Sequence, residues 1–203
     1  MFNTGILAKA RQIIDEIRHK EINYRPTRFE TPPKLIDSYS KAWVGLESII
    51  ADIILFSGIE KDSLLEFGVE FGYSTAAFAN YFRRVVGVDI FTGDEHAGYF
   101  GDIYQTTKNN LKDFPNIELV KLDYREYIKA NSGEAYDLIH IDIVHTYEDT
   151  FACGLWGAQH SRCTLFHDTQ TFPDVKKAVA DIARKTNKKF YNYRKCNGLG
   201  ILI

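Results

Sequence analysis

Apolar positions along the chain change their spacing near residue 60. Before it, Ile6, Ala10, Ile13, Ile14 and Ile17 recur at intervals of three and four, which predicts an amphipathic helix over about 4–20. Residues 23–34 hold Pro26, Pro32 and Pro33 and read as an extended linker. Trp43, Leu46, Ile49, Ile50, Ile53 and Ile54 then mark one face of a second helix over about 36–57, with Gly58 closing it. From Ser63 onward short β-branched runs alternate with helical periods. The pattern predicts strands near 63–67, 85–89, 117–121, 136–141 and 162–167, and helices near 74–82, 103–113, 124–130, 148–159 and 173–186. Such alternation argues a parallel sheet with helices on both faces.

The rhythm breaks at the end. Residues 190–193 and 198–203 read as two strands with a short link between them. A parallel crossover needs about a dozen residues or more, so these two form an antiparallel hairpin. The expected fold is α/β: a seven-stranded, mostly parallel sheet with a C-terminal antiparallel hairpin and two extra N-terminal helices. Residues 1–58 would form a helical cap and 59–203 the core. The cap either covers the sheet or shapes a pocket as a lid.

Composition narrows the class. With 203 residues, 45% hydrophobic and 26% charged, the chain suits one ordinary globular domain. A net charge of −2 gives no general attraction to nucleic acid or anionic lipid. The longest apolar run, 49–59, is broken by Asp52 and falls short of the ~20 residues a membrane span needs. No basic segment leading into an apolar one opens the sequence, so no secretory signal is expected. Cys153, Cys163 and Cys196 are scattered, as expected of reduced thiols in a cytoplasmic protein. Lys176, Lys177, Arg184, Lys185, Lys188, Lys189, Arg194 and Lys195 make the tail basic, a pattern read as a solvated helix face.

Candidate chemistry gathers where strands end, because ligands of such sheets bind beyond the carboxyl edge. The first strand runs through Glu66 into Gly68, Glu70 and Gly72, and the next helix opens on Ser74 and Thr75. A dinucleotide fingerprint wants a second glycine where Glu70 stands, so that a pyrophosphate can approach the backbone. Two carboxylates would repel that group and suit a cationic one. Asp89 ends the second strand 21 residues after Gly68, placed to accept ribose hydroxyls, with Ile90 beside it as an apolar face for a base. Asp123 and Tyr124 follow the third strand. Asp123 either caps the next helix or reaches a ligand. The fourth strand leads through His140 to Asp142 and His145, and the fifth into His167 and Asp168; His140 reads as an interior residue.

The acid-x-Gly-x-x-x-Gly turn resembles the first motif of class I S-adenosylmethionine-dependent methyltransferases, enzymes with a Rossmann-like sheet. Residues 140–148 (His-Ile-Asp-Ile-Val-His-Thr-Tyr-Glu) and 167–169 (His-Asp-Thr) are similar to one small branch of that superfamily. Macrocin O-methyltransferases and cephalosporin-hydroxylase-like proteins (methyltransferase family 24 type) are its relatives. The resemblance covers about 60–203. It implies S-adenosylmethionine as cofactor, with Glu66, Gly68 and Gly72 shaping its methionine end, Ser74 and Thr75 beside it, Asp89 on the ribose with Ile90 next to it, and Asp123 and Tyr124 at the adenine. The implied reaction is O-methylation of a small molecule or sugar, with nucleic acid not expected as partner.

Two arrangements of the acceptor side stay open. His145 could serve as general base beside Asp142, or Asp142, His167 and Asp168 could hold a divalent ion, Mg²⁺ by analogy with the relatives. The glycine-rich stretch 91–104 reads either as a mobile loop at the site or as a plain connection. An NAD-dependent oxidoreductase and a nonenzymatic S-adenosylmethionine-binding subunit are the rival functions. Oligomeric state is open, a homodimer included.

Overall fold

The computed structural model describes residues 20–37, 42–93, 98 and 100–203. The helix expected over 4–20 falls on residues outside this set, apart from Lys20, which is not helical. Eight strands form one sheet: β1 (Ile22–Asn23), β2 (Ser63–Phe67), β3 (Arg84–Asp89), β4 (Ile117–Lys121), β5 (Tyr136–Ile141), β6 (Ser161–His167), β7 (Phe190–Tyr193) and β8 (Leu199–Leu202). Their order is β1-β7-β8-β6-β5-β2-β3-β4. β8 runs antiparallel to both β6 and β7; every other neighbouring pair is parallel. The expected alternation and terminal hairpin are present.

The eighth strand is new. β1 ends on the first residue of the stretch expected to be a linker, pairing Ile22 with Tyr191 and Asn23 with Asn192. Its attachment is polar, which is why hydrophobic spacing does not reveal it. The Tyr24 N–H donates to the Asn192 carbonyl at 2.9 Å. Glu21 accepts from the Asn192 amide (3.2 Å) and the Arg194 guanidinium (3.0 Å), and pairs with Lys176 (2.7 Å).

The helix expected over 36–57 is shorter than its apolar stripe. Turns reach Leu46, a 3₁₀ turn covers Glu47–Ile49, and α1 runs only Ile50–Ser57. Gly45 sits at φ +102 with its N–H held by the Glu47 carboxylate at 2.6 Å, a left-handed residue that a continuing helix cannot contain. Gly58 ends α1 in the left-handed conformation, its N–H on the carbonyls of Ile54 and Leu55. The remaining helices among the described residues are α2 (Tyr73–Ala79), α3 (Tyr104–Asn110), α4 (Tyr124–Ala130), α5 (Tyr147–His160) and α6 (Pro173–Thr186). Among the described residues no helix is long and apolar enough to cross a membrane.

Period-two alternation splits the sheet's side chains into two cores. Leu64, Leu138, Cys163 and Leu165 face Trp43, Leu46, Ile49, Ile53 and Phe78. Leu65, Phe67, Ile139, Ile141 and Phe166 face Tyr127, Trp156, Val179 and Ile182. Each large side chain so covered contributes about 1.5–3 kcal/mol. By the same alternation Glu66, His140 and His167, all buried, fall on the face that Trp43 covers. That polar stripe inside an apolar core leads to the site.

Asp52 clamps the β1 segment to α1. Its buried carboxylate accepts from the Tyr24 hydroxyl (2.5 Å), the Thr27 hydroxyl (2.6 Å) and the N–H groups of Thr27 and Arg28 (3.2 Å each). Burial raises the pKa of this acid, but the bonds from Thr27, Tyr24 and Arg28 prevail and hold it below the usual range. Asp52→Ala is therefore predicted to cost about 1–3 kcal/mol in urea unfolding, the cost of stranding buried donors. Because the folded pKa is depressed, the wild-type advantage over Asp52→Asn should be complete above the ordinary carboxylate range and fade as pH falls through the depressed value. An advantage that does not change with pH would refute the clamp.

Candidate active site

The ends of β2, β3, β5 and β6 open onto a cavity of about 590 Å³, within the ~300–1,000 Å³ usual for sites that enclose small ligands. It lies where the strand order reverses: from β2 the chain moves to β3 and β4 on one side, while β5 pairs with β2 on the other. Ligands of open α/β sheets bind at such switch points. Gly68, Ser74, Asp89, Ile90, Asp123, Tyr124, Asp142, His145, His167 and Asp168 all line it. Among the candidates from the sequence, Glu66, Gly72 and Thr75 do not.

The turn after β2 is tight because two backbones meet there. Gly68 has φ +86, and a Cβ built on it would stand 1.7 Å from the Asp142 carbonyl oxygen. Its N–H donates to the Val88 carbonyl (3.0 Å), and the Asp142 N–H to that of Phe67 (2.8 Å). Asp89 then fastens the turn from the next strand. Its Oδ2 accepts the N–H groups of Val69 (2.8 Å) and Glu70 (2.9 Å), and Oδ1 that of Phe91 (2.6 Å). This anchoring was not visible in the sequence, where Asp89 is only an acid ending a strand.

Glu66 points inward instead. Its Oε1 accepts from His140 Nδ1 at 2.8 Å and its Oε2 from the Thr75 hydroxyl, and Glu66, Thr75 and His140 are all without solvent exposure. The trio supports the turn from beneath. Asp123 caps α4, accepting the Arg125 N–H at 2.7 Å, while its carboxylate also pairs with the Arg125 guanidinium at 3.1 Å. The capping alternative is thus realised, and Asp123 still lines the cavity. The Tyr124 hydroxyl donates to Asp149 at 2.7 Å, and its ring lies 4.5 Å under the Arg125 guanidinium.

Across the cavity Asp142, His145, His167 and Asp168 converge. His145 Nε2 lies 2.8 Å from Asp168 Oδ2 and 3.6 Å from Asp142 Oδ1. His167 Nδ1 lies 3.0 Å from Asp142 Oδ2 and 3.4 Å from Asp168 Oδ2. Two carboxylates and two imidazoles thus alternate in a nearly closed ring. Phe172 stacks on the His145 ring at 4.1 Å and 6°, a contact the sequence did not mark, and Trp43 lies 6.2 Å from that of His167.

Burial opposes charge in Asp142, His145 and His167, and the opposite partners overcome it. His145 is pushed up to about 9 by Asp142 and Asp168. His167 is raised chiefly by Asp142, which is itself held far below the usual carboxylate range by His167 and His145. At neutral pH, then, His145 carries its proton. One oxygen each from Asp142 and Asp168 and a ring nitrogen of His145 lie within 4.8 Å of one another. This set of donors suits a divalent cation. It contains His145 where the sequence reading used His167. Of the stretch 91–104, residues 94–97 and 99 lie outside the described set, and Gly93 lines the cavity.

A family model described as a methyltransferase domain matches residues 65–169, just over half of the chain. A curated relative from Sinorhizobium fredii, "Uncharacterized protein y4gI", is 26% identical over 127 residues; the match covers 57% of this chain but 14% of that much longer protein. Among solved structures, the O-methyltransferase NovP is similar with a TM-score of 0.64 at 12% identity, over 80% of this chain and 78% of that one. The amino pentose methyltransferase CalS10 from Micromonospora echinaspora gives 0.58 at 12%, over 79% and 90%. Aeropyrum pernix fibrillarin with bound S-adenosyl-L-methionine gives 0.55 at 13%, over 88% of each chain. At these identities the structural likeness concerns the fold.

Gly68→Ala should cost at least about 3 kcal/mol, combining steric overlap with a left-handed residue that bears a Cβ; a variant of native stability in urea would show that the two backbones do not meet. The His145 shift predicts a second result. Its raised folded pKa stabilises the protein fully below about 6.5, and that contribution disappears as pH climbs through about 9. The difference in Tm between wild type and His145→Gln should close over this window, and a constant difference would exclude the ion-paired ring.

Proposed function

The chain belongs to the methyltransferase-domain family, and from that premise we propose that it is a class I S-adenosylmethionine-dependent methyltransferase acting on an oxygen of a small molecule or sugar. The observation that carries this reading is the ring of Asp142, His145, His167 and Asp168 on one side of the cavity, opposite the Asp89-anchored turn. One side offers acid–base groups to an acceptor, the other a bed for a nucleoside. The descriptions of NovP as an O-methyltransferase and of CalS10 as acting on an amino pentose lend support to a small acceptor.

When bound, the cofactor would supply a methyl group on a positively charged sulfur, for in-line transfer to the acceptor oxygen with the thioether sulfur as leaving group. The protein's part is to orient both partners and to take the hydroxyl proton. Asp89 would hold the ribose hydroxyls with the acceptor capacity that its three backbone donors leave. Gly68 and Ser74 would adjoin the methionine end, while Ile90, Asp123 and Tyr124 would flank the adenine. On the acceptor side His145 holds a proton until about pH 9, so it accepts another group's proton only after releasing its own. Asp142, His145 and Asp168 would hold a divalent cation such as Mg²⁺, which would lower the pKa of the acceptor hydroxyl. That cation would compete directly with the His145 proton.

Two measurements test the reading. Calorimetry should show wild type and Asp142→Asn binding S-adenosylhomocysteine within about threefold of each other. Transfer of labelled methyl from S-adenosylmethionine to a panel of sugars and phenols should fall by about 10²-fold or more in Asp142→Asn, the usual weight of acid–base assistance. Undiminished transfer would remove the ring from the acceptor site. In the presence of a chelator, the wild-type rate should rise with pH toward about 9, as His145 loses its proton.

A further inference from the structure

We propose that Asn197, at the tip of the β7–β8 hairpin, is a specificity-determining residue whose side-chain amide holds a second hydroxyl of the methyl acceptor. The inference rests on the methyltransferase reading above and adds an acceptor contact to it. Asn197 comes from the turn between the two antiparallel strands, yet it lines the cavity beside Thr171 and Phe172. Its place is fixed from two sides. The Asn197 carbonyl accepts the N–H groups of Gln170 (2.8 Å) and Thr171 (3.3 Å). The Asp168 carbonyl accepts those of Thr171 (3.2 Å) and Phe172 (3.0 Å). The segment that receives the tip is thus the one that carries Asp168 and stacks Phe172 on His145. Gly198 leaves no slack there, since a Cβ on it would stand 2.6 Å from the Gln170 nitrogen. On the other side, a Cβ on Gly45 would stand 2.9 Å from Cys196 Sγ, so the tip also abuts the segment of Trp43.

With its carbonyl engaged, Asn197 has its N–H and its amide left. Among the described residues neither makes a hydrogen bond. Its φ is +64, and asparagine is one of the few side chains that enter this region routinely, so the turn carries a hydrogen-bonding group here at little cost. From residue 167 onward the charged groups of the lining, His167 and Asp168, face their partners in the ring. Thr171 and Asn197 are the uncharged hydrogen-bonding side chains of that stretch. An amide both donates and accepts, as a hydroxyl does, and it brings no charge to offset that of an ionised ligand. It therefore matches a neutral, hydroxyl-bearing part of the acceptor next to the acid–base groups. A group whose backbone is already fastened loses little further freedom on binding, which is what discrimination between similar acceptors requires.

Acceptor discrimination tests the assignment. Asn197→Gly removes the amide and keeps a residue at ease in the left-handed turn; it should bind S-adenosylhomocysteine as wild type does. Labelled-methyl transfer is measured for polyhydroxylated sugars and phenols, each paired with the analogue that lacks one hydroxyl other than the methylated one. Wild type should favour one parent over its deoxy analogue by about tenfold or more in kcat/KM, and Asn197→Gly should bring the two within about twofold. The loss should appear as a higher KM for the parent, with kcat within about twofold of wild type. A preference that survives in Asn197→Gly overturns the proposal. An equal loss on parent and analogue also overturns it, because Asn197 would then act through the shape of the loop. So does wild type that binds S-adenosylhomocysteine yet shows no such preference, or methylates none of these compounds. Wild type that does not bind S-adenosylhomocysteine overturns the cofactor reading itself, and this assignment with it.

Discussion

Asp89 gathers the N–H groups of Val69, Glu70 and Phe91 on one carboxylate, and the shape of the cavity follows from that gathering. The turn after β2 has little regular hydrogen bonding of its own. Without an acceptor for the N–H groups of Val69 and Glu70, two donors would be left on a wall that must stay open to a ligand. By supplying the acceptor from the neighbouring strand, the protein fixes the turn without filling the space in front of it. The close meeting of Gly68 with the Asp142 carbonyl then joins this wall to the one that bears the imidazoles. The two sides of the cavity are set by one register between β2 and β5, Phe67 opposite Ile141.

Much of this is legible in the amino-acid sequence. The β-branched runs and the short final link were enough for the alternating sheet and its hairpin, because burial on both faces leaves a strong hydrophobic signal. Strand-end acids and histidines could be collected because the sheet topology brings them to one edge. What escaped had weak or misleading signals. β1 is two residues long and is held by Glu21, Asn192 and Arg194, so no apolar alternation marks it. The stripe from Trp43 to Ile54 keeps helical spacing across a segment that is not one helix, since turns and a 3₁₀ segment can bury the same residues. Glu66 sits in the motif as though it faced a ligand, yet strand alternation turns it toward His140 and Thr75.

The ring of two aspartates and two histidines shows how a charged cluster survives inside a core. The buried His167 and the half-buried His145 each face two carboxylates, and the desolvation that would neutralise a lone imidazole is offset by these neighbours. The outcome is a His145 that keeps its proton at neutral pH between two carboxylates. It is also poised to exchange a proton for a cation.

The strand that the sequence hid has a mechanical meaning. β1 hangs on β7, and Glu21 reaches Lys176 on α6 and Arg194 beyond β7; the Asp52 clamp carries the same segment across to α1. Trp43, which covers the histidines, lies between these two moorings. Whatever loosens the hairpin would thus also slacken the roof over the acid–base groups, since Trp43 packs in one core with Tyr193, Leu199 and Ile201 of that hairpin.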